Sequence, residues 1–207
     1  MQRKAIIACG LCLLIGAAVP LIAQDTKTQQ PTEEEKAMME AFAKLATPGE
    51  HHAHLRPMTG NWNCAGKFRM APEAPWQTFT STSQNEWMFG GRFLTTKVKG
   101  EPMFGSPEPF EGFSILGYDN GNRKYQSSWI DNMGTMIMTS EGDSDPSGRV
   151  ITFRGECFCP ERQKNIPMRT VYTIQGDNAY KIEMYSPDDA GKEYVGMEIT
   201  CTKKRGA

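Results

Sequence analysis

Side chains able to do chemistry fall into three groups along this chain. The first is His51-His52-Ala53-His54, three imidazoles within four residues, with no histidine after them. Such a set could ligate Zn²⁺, Cu²⁺ or Ni²⁺. On one helical turn, however, positions i, i+1 and i+3 do not converge on a point, so the segment reads as a polar first turn and no metal site is predicted. The second group is charged residues embedded among aromatic ones: Glu86 beside Trp87, Arg92 beside Phe93, Asp131 two residues from Trp129, Glu183 two from Tyr185, and Arg169. In a cavity they would orient a ligand, pair to fix strand register, or act as acid and base. Glu86 with Arg92 across Gly90-Gly91 is one natural pair, and Arg169 with Asp131 or Glu183 is another. Trp129, Asp131, Arg169, Glu183, Tyr185, Glu86 and Arg92 are therefore the candidate ligand-binding residues. No catalytic residue is assigned. The lack of histidine beyond His54 removes Ser-His and Cys-His nucleophiles from that part of the chain and leaves it no histidine for a haem iron, so no cofactor is expected.

Cysteines make the third group. Cys9 and Cys12 lie in an N-terminal segment that is expected to be removed, which leaves Cys64, Cys157, Cys159 and Cys201. Cys157 and Cys159 point to the same face of one strand, where closing so small a ring is strained. Cys64 and Cys201 fall on the first and last strands, which neighbour each other if the sheet closes. A bridge between them and a pair of buried free thiols both fit. C-x-C with two distant single cysteines is not a standard zinc spacing.

The segment to be removed is residues 1–23. Arg3 and Lys4 precede an uncharged run from Ala5 to the small residue Ala23, the pattern of a secretory signal peptide. Cleavage there predicts a periplasmic or secreted protein with no stable membrane span. It also takes away two basic residues and no acid, leaving 21 basic against 24 acidic residues, a net charge of −3. That balance argues against nucleic acid as a partner. Residues 24–46 read as a polar tether and a short helix, EEEKAMMEAFAKLA, with Met38, Met39, Phe42 and Leu45 on one side and acids at its start.

Residues 47–207 must position whatever chemistry there is, and they read as a meander. Runs rich in β-branched and aromatic residues alternate with turn clusters such as Gly90-Gly91, Asp119-Asn120-Gly121-Asn122, Asp145-Pro146-Ser147-Gly148 and Gln175-Gly176-Asp177-Asn178. About ten strands follow, near 60–70, 77–89, 92–100, 111–118, 123–130, 135–142, 149–158, 166–175, 179–185 and 193–203. Short connections make neighbours antiparallel, and so many short strands must close or fold into two sheets to hide their edges. Several strands mix polar and aromatic residues on one face. Ser81, Ser83 and Asn85 share a face with Phe79 and Trp87, and Ser127 and Asp131 share one with Tyr125 and Trp129. That is the mark of a barrel with a cavity rather than a solid core. In MTGNWNCAGKF, Gly60 and Trp62 form a G-x-W at the head of the first strand, and Trp62 is expected to plug one end.

The segment PGEHHAHLRPMTGNW, with NEWMFGGRFL, GYDN…KY…SWIDNMGT, Glu183-Met184-Tyr185 and MEITCTKK, resembles the bacterial domain of unknown function 1579 family over about residues 47 to 204. The resemblance implies a lipocalin-like (calycin) barrel and no established activity. The expected fold is thus all-β, an about ten-stranded antiparallel up-and-down barrel after a short helix. The expected function is binding of a small, partly apolar or amphipathic molecule in the cavity. An enzyme using cavity carboxylates and a ligand-free envelope interaction domain are the alternatives.

Overall fold

A computed structural model describes residues 30–103 and 105–204. The expected signal peptide and the start of the tether lie outside the described residues. The chain divides into two compact units, residues 1–38 and 39–207, and the boundary falls within helix α1 (Glu33–Ala46). In the first unit Thr32 and Glu35 form a reciprocal cap: the Glu35 amide donates to Thr32 Oγ1 (3.2 Å) and the Thr32 amide to Glu35 Oε2 (2.7 Å). This satisfies two donors that a helix start otherwise leaves open.

In the second unit the last carbonyls of α1 find a partner in a distant turn. Asn120 Nδ2 donates to Leu45 O (2.9 Å) and Thr47 O (2.8 Å), ties that a frayed helix end would lack. The apolar side chains toward the end of α1 stay in the open, Met39 at 61%, Phe42 at 64% and Leu45 at 51% exposure. Helix α2 (Glu50–Ala53) and a 3₁₀ turn (Arg56–Met58) lead into ten strands: β1 (Gly60–Phe68), β2 (Gln77–Met88), β3 (Phe93–Gly100), β4 (Phe110–Asp119), β5 (Lys124–Asp131), β6 (Met138–Ser144), β7 (Val150–Cys159), β8 (Lys164–Ile174), β9 (Ala179–Pro187) and β10 (Glu193–Lys203). Each pairs antiparallel with its sequence neighbour, and β1 pairs with β10 to close the barrel. The expected fold class is the observed one.

Because side chains alternate across a strand, the register assigns every residue to the inside or the outside. Trp62, Cys64, Leu116, Tyr125, Ile151, Phe153, Ile174, Tyr180 and Cys201 are buried, and residues paired directly with them share the inner face. Cys64 sits opposite Cys201 and the two are bonded, S–S 1.98 Å, joining strands 137 residues apart in sequence. Cys157 and Cys159 are free thiols. The largest departure from the expected strand boundaries is at β6. β6 starts at Met138 rather than near 135, so Met136 and Ile137 lie in the preceding connection and are exposed.

Candidate functional site

One end of the barrel is sealed. Gly60 adopts φ +107°, a left-handed conformation that favours glycine, and two residues on Trp62 turns fully inward. Its indole Nε1 donates to Met58 O (2.9 Å), and Asn85 Nδ2 donates to the same carbonyl (2.7 Å), so the G-x-W strand is fastened to the 3₁₀ turn that covers it. Leu55 and Met58 from the cover meet Leu94, Leu116, Ile151 and Ile174 in one core. Tyr180 packs edge-on to Trp62 at 4.7 Å.

The histidines belong to this seal. His51 stacks on Tyr118 (4.2 Å, 24°). His54 Nδ1 lies 2.7 Å from the Tyr125 hydroxyl, which also donates to His51 O (3.1 Å). His52 is buried, and its Nδ1 accepts from the Gly49 amide (3.1 Å). Burial, and then the neighbouring His51, pushes His52 below its ordinary 6.5. Burial raises Tyr125 to about 12, which keeps its hydroxyl a neutral donor. His51 and His52 both pack on Tyr118, and His54 meets Tyr125.

The other end is different. Along the inner face beyond the disulfide, Phe79, Val98, Phe110, Trp129, Met138, Ile166, Met168, Met184 and Met197 share inward parity with the sealed core, yet all are half-buried. Inner-face side chains that keep contact with solvent leave this end of the lumen incompletely filled, here called the chamber. Two glycines make the room. A Cβ on Gly66 would lie 2.2 Å from the Phe79 ring, and one on Gly112 would lie 2.4 Å from the Trp129 ring. Each ring lies against the bare backbone of its neighbour strand, padding the wall instead of filling the lumen.

Of the candidate residues, Trp129 and Asp131 stand together on this inner wall. Trp129 Nε1 donates to Asp131 Oδ2 (2.7 Å), the Met133 amide donates to Asp131 Oδ1 (2.9 Å), and Phe110 lies 20° from parallel with Trp129 at 6.3 Å. The structure does not bring the others to them. Ile174 pairs with Tyr180, both inside, so even numbers face in on β8 and β9, while Arg169, Glu183 and Tyr185 are odd and face out. Arg169 grips Glu193 with two nitrogens (2.6 and 3.0 Å) and lies over Tyr185 at 3.7 Å. The Glu193 bond raises the Arg169 pKa, and the same bond lowers that of Glu193. Glu183 accepts from Lys181 (2.9 Å), which also reaches Glu198 (3.1 Å). Glu86 is exposed and accepts from Gln84, and Arg92 donates to Phe89 O in its own turn, so the expected Glu86–Arg92 pair does not form. Asp131 and Glu183 lie on opposite faces of the wall.

Apart from Trp129 and Asp131, the residues of the chamber wall were not among the candidates. Gly66 and Gly112, in phase with Phe79 and Trp129 on adjoining strands, were the available signal. Apart from the chamber, a groove of about 880 Å³ runs along residues that include Leu45, Phe93, Ile115, Glu141 and Arg154. The last four have outward parity, while Ser127 and Ser140, which also line it, have inward parity.

Comparison with known proteins bears on the fold. The family model for a protein of unknown function, DUF1579, matches residues 47–203. No protein among the curated set matches. Among solved structures, Rv2717c from M. tuberculosis is similar with a TM-score of 0.56 at 14% identity, covering 77% of this chain and 100% of that one. The S-type phycobiliprotein lyase CPES from Guillardia theta is similar with a TM-score of 0.51 at 10% identity, with the same coverage. At such identities the likeness is one of fold.

Proposed function

This chain belongs to the DUF1579 family, and from that premise we propose that its barrel binds a small, partly apolar molecule in the half-open chamber. The observation that carries the reading is the placement of Phe79 over Gly66 and Trp129 over Gly112. A barrel built only for stability gains by pointing such rings into its lumen, since unfilled space forfeits packing. Here aromatic surface is spread along the walls and stays half-buried. The likeness to a phycobiliprotein lyase supports a barrel of this shape receiving a ligand. We also propose that the protein is exported. The Arg3/Lys4 flank with its apolar run supports this, as does the Cys64–Cys201 bond, because such bonds persist in oxidising compartments.

The test is titration with the neutral fluorophore N-phenyl-1-naphthylamine. Saturable one-to-one binding is expected in the parent protein. Binding should be lost in Gly112→Ala, whose new methyl drives Trp129 off the wall into the lumen, and in Ser140→Trp, which fills the lumen from β6. Absence of saturable binding in the parent, or full binding in both folded variants, overturns the reading.

A further inference from the structure

The chamber wall carries neutral polar groups such as Ser127, Ser140 and Thr170, and among the described strand residues of inward parity Asp131 is the acid. Both oxygens of that carboxylate accept hydrogen bonds, but only from neutral groups, the Trp129 indole and the Met133 amide. No lysine or arginine lies within ion-pair distance of it among the described residues. Its cross-strand partner on β4 is Gly112, and the space over that glycine is taken by the neutral Trp129 ring rather than by a charged side chain. The inward-parity cation on the neighbouring wall is Lys164, at the exposed start of β8 and opposite Cys159. It stands three strands away, at about 4.8 Å per strand. A half-buried carboxylate without a counter-ion is costly. Beside it, Trp129 and Phe110 offer aromatic faces, which attract cations.

We propose that the chamber selects a molecule whose apolar body carries a cationic nitrogen, an ammonium, quaternary ammonium or amidinium group. The nitrogen sits on the lumen side of Asp131, beside the Phe110–Trp129 ring pair, while the apolar part runs along Phe79, Met168, Met184 and Met197. This inference rests on the chamber reading above and specifies its ligand class. The carboxylate supplies the charge that the bound cation needs, and the rings replace part of its hydration. An anionic amphiphile meets only repulsion at the same wall. A neutral one gains the apolar contacts without the ion pair.

Three probes with matched twelve-carbon chains separate the possibilities: dodecyltrimethylammonium, dodecanol and dodecanoate. Each is titrated below its micelle concentration and followed by calorimetry and tryptophan fluorescence. The expected order is ammonium tightest, with dodecanoate weaker by about tenfold or more. Asp131→Asn should weaken the ammonium about tenfold and leave dodecanol nearly unchanged. Added salt should likewise weaken only the ammonium, which gives a readout in the unaltered protein. Saturable dodecanol binding without an ammonium preference, or a preference that survives in Asp131→Asn, overturns this inference and leaves the chamber reading standing. No saturable binding of any probe removes both.

Discussion

The two ends of this barrel use the same residue types to opposite effect. At the sealed end Trp62 and Tyr180 point into the lumen, meet each other, and are locked by hydrogen bonds to Met58 and Asn85. At the open end Phe79 and Trp129 lie along the wall over glycines. At the sealed end a covering segment, α2 and the 3₁₀ turn, brings Leu55 and Met58 down onto the core. An aromatic ring in a barrel is therefore a plug or a lining according to whether the adjoining strand leaves a glycine beneath it and whether a cap stands above it. Stability is drawn from the first end, which leaves the second free to stay partly empty.

The largest expected effect is at the seal. Trp62 is fully buried, so Trp62→Ala should leave a large cavity and cost about 3–5 kcal/mol. Trp129→Ala, on a half-buried ring, should cost clearly less. Denaturant midpoints of the two variants measure the contrast, and equal losses would break it.

A smaller effect follows from protonation at the same end. His52 has a folded pKa below its ordinary 6.5, with burial as the main cause. Between those two values the unfolded chain binds more protons than the folded one, so stability rises with pH across that window. The contribution is present above about pH 6.5 and is lost as pH falls through the lowered folded value. Unfolding free energies measured from pH 7 down to 5 should decline, and His52→Asn should flatten that decline. An unchanged slope in the variant would assign the effect elsewhere.

The smallest effect concerns the outer wall. The Arg169–Glu193 pair is partly exposed, at 25% and 49% of the two side chains. Arg169→Leu should therefore cost at most about 1 kcal/mol, and it should leave the affinity of any chamber probe unchanged. A loss of affinity in a folded Arg169→Leu protein would blur the division between wall faces drawn here.

Much of this architecture was readable from the residues, and the reason is local. Turn clusters such as Asp119-Asn120-Gly121-Asn122 announce themselves: Asp119 Oδ1 accepts from the Gly121 and Asn122 amides inside the turn it makes. The face shared by Tyr125, Ser127, Trp129 and Asp131 was also legible, because period two on a single strand needs no partner. What stayed hidden is parity between strands. Arg169, Glu183 and Tyr185 share a face, but which face depends on pairing with β7 and β10, and β8 alternates apolar Ile166 and Met168 with Val171 in a way that suits either. A one-residue choice of register turns a ligand cluster into a surface ion pair. The lining role of Gly66 and Gly112 was hidden for the same reason, since each is defined by the ring on the strand beside it.

The bond between Cys64 and Cys201 sets a schedule for the chain. Its two halves lie on the first and last strands, so the ring cannot close until Glu193–Lys203 has emerged and threaded between β1 and β9. Before then, two strands expose unpaired edges at once, for as long as it takes to deliver nearly the whole domain. Such edges are templates for pairing with another molecule. The interval before closure, more than the finished barrel, is when this protein is open to swapping strands with a second copy, and the cross-link fastens the seam that ends it.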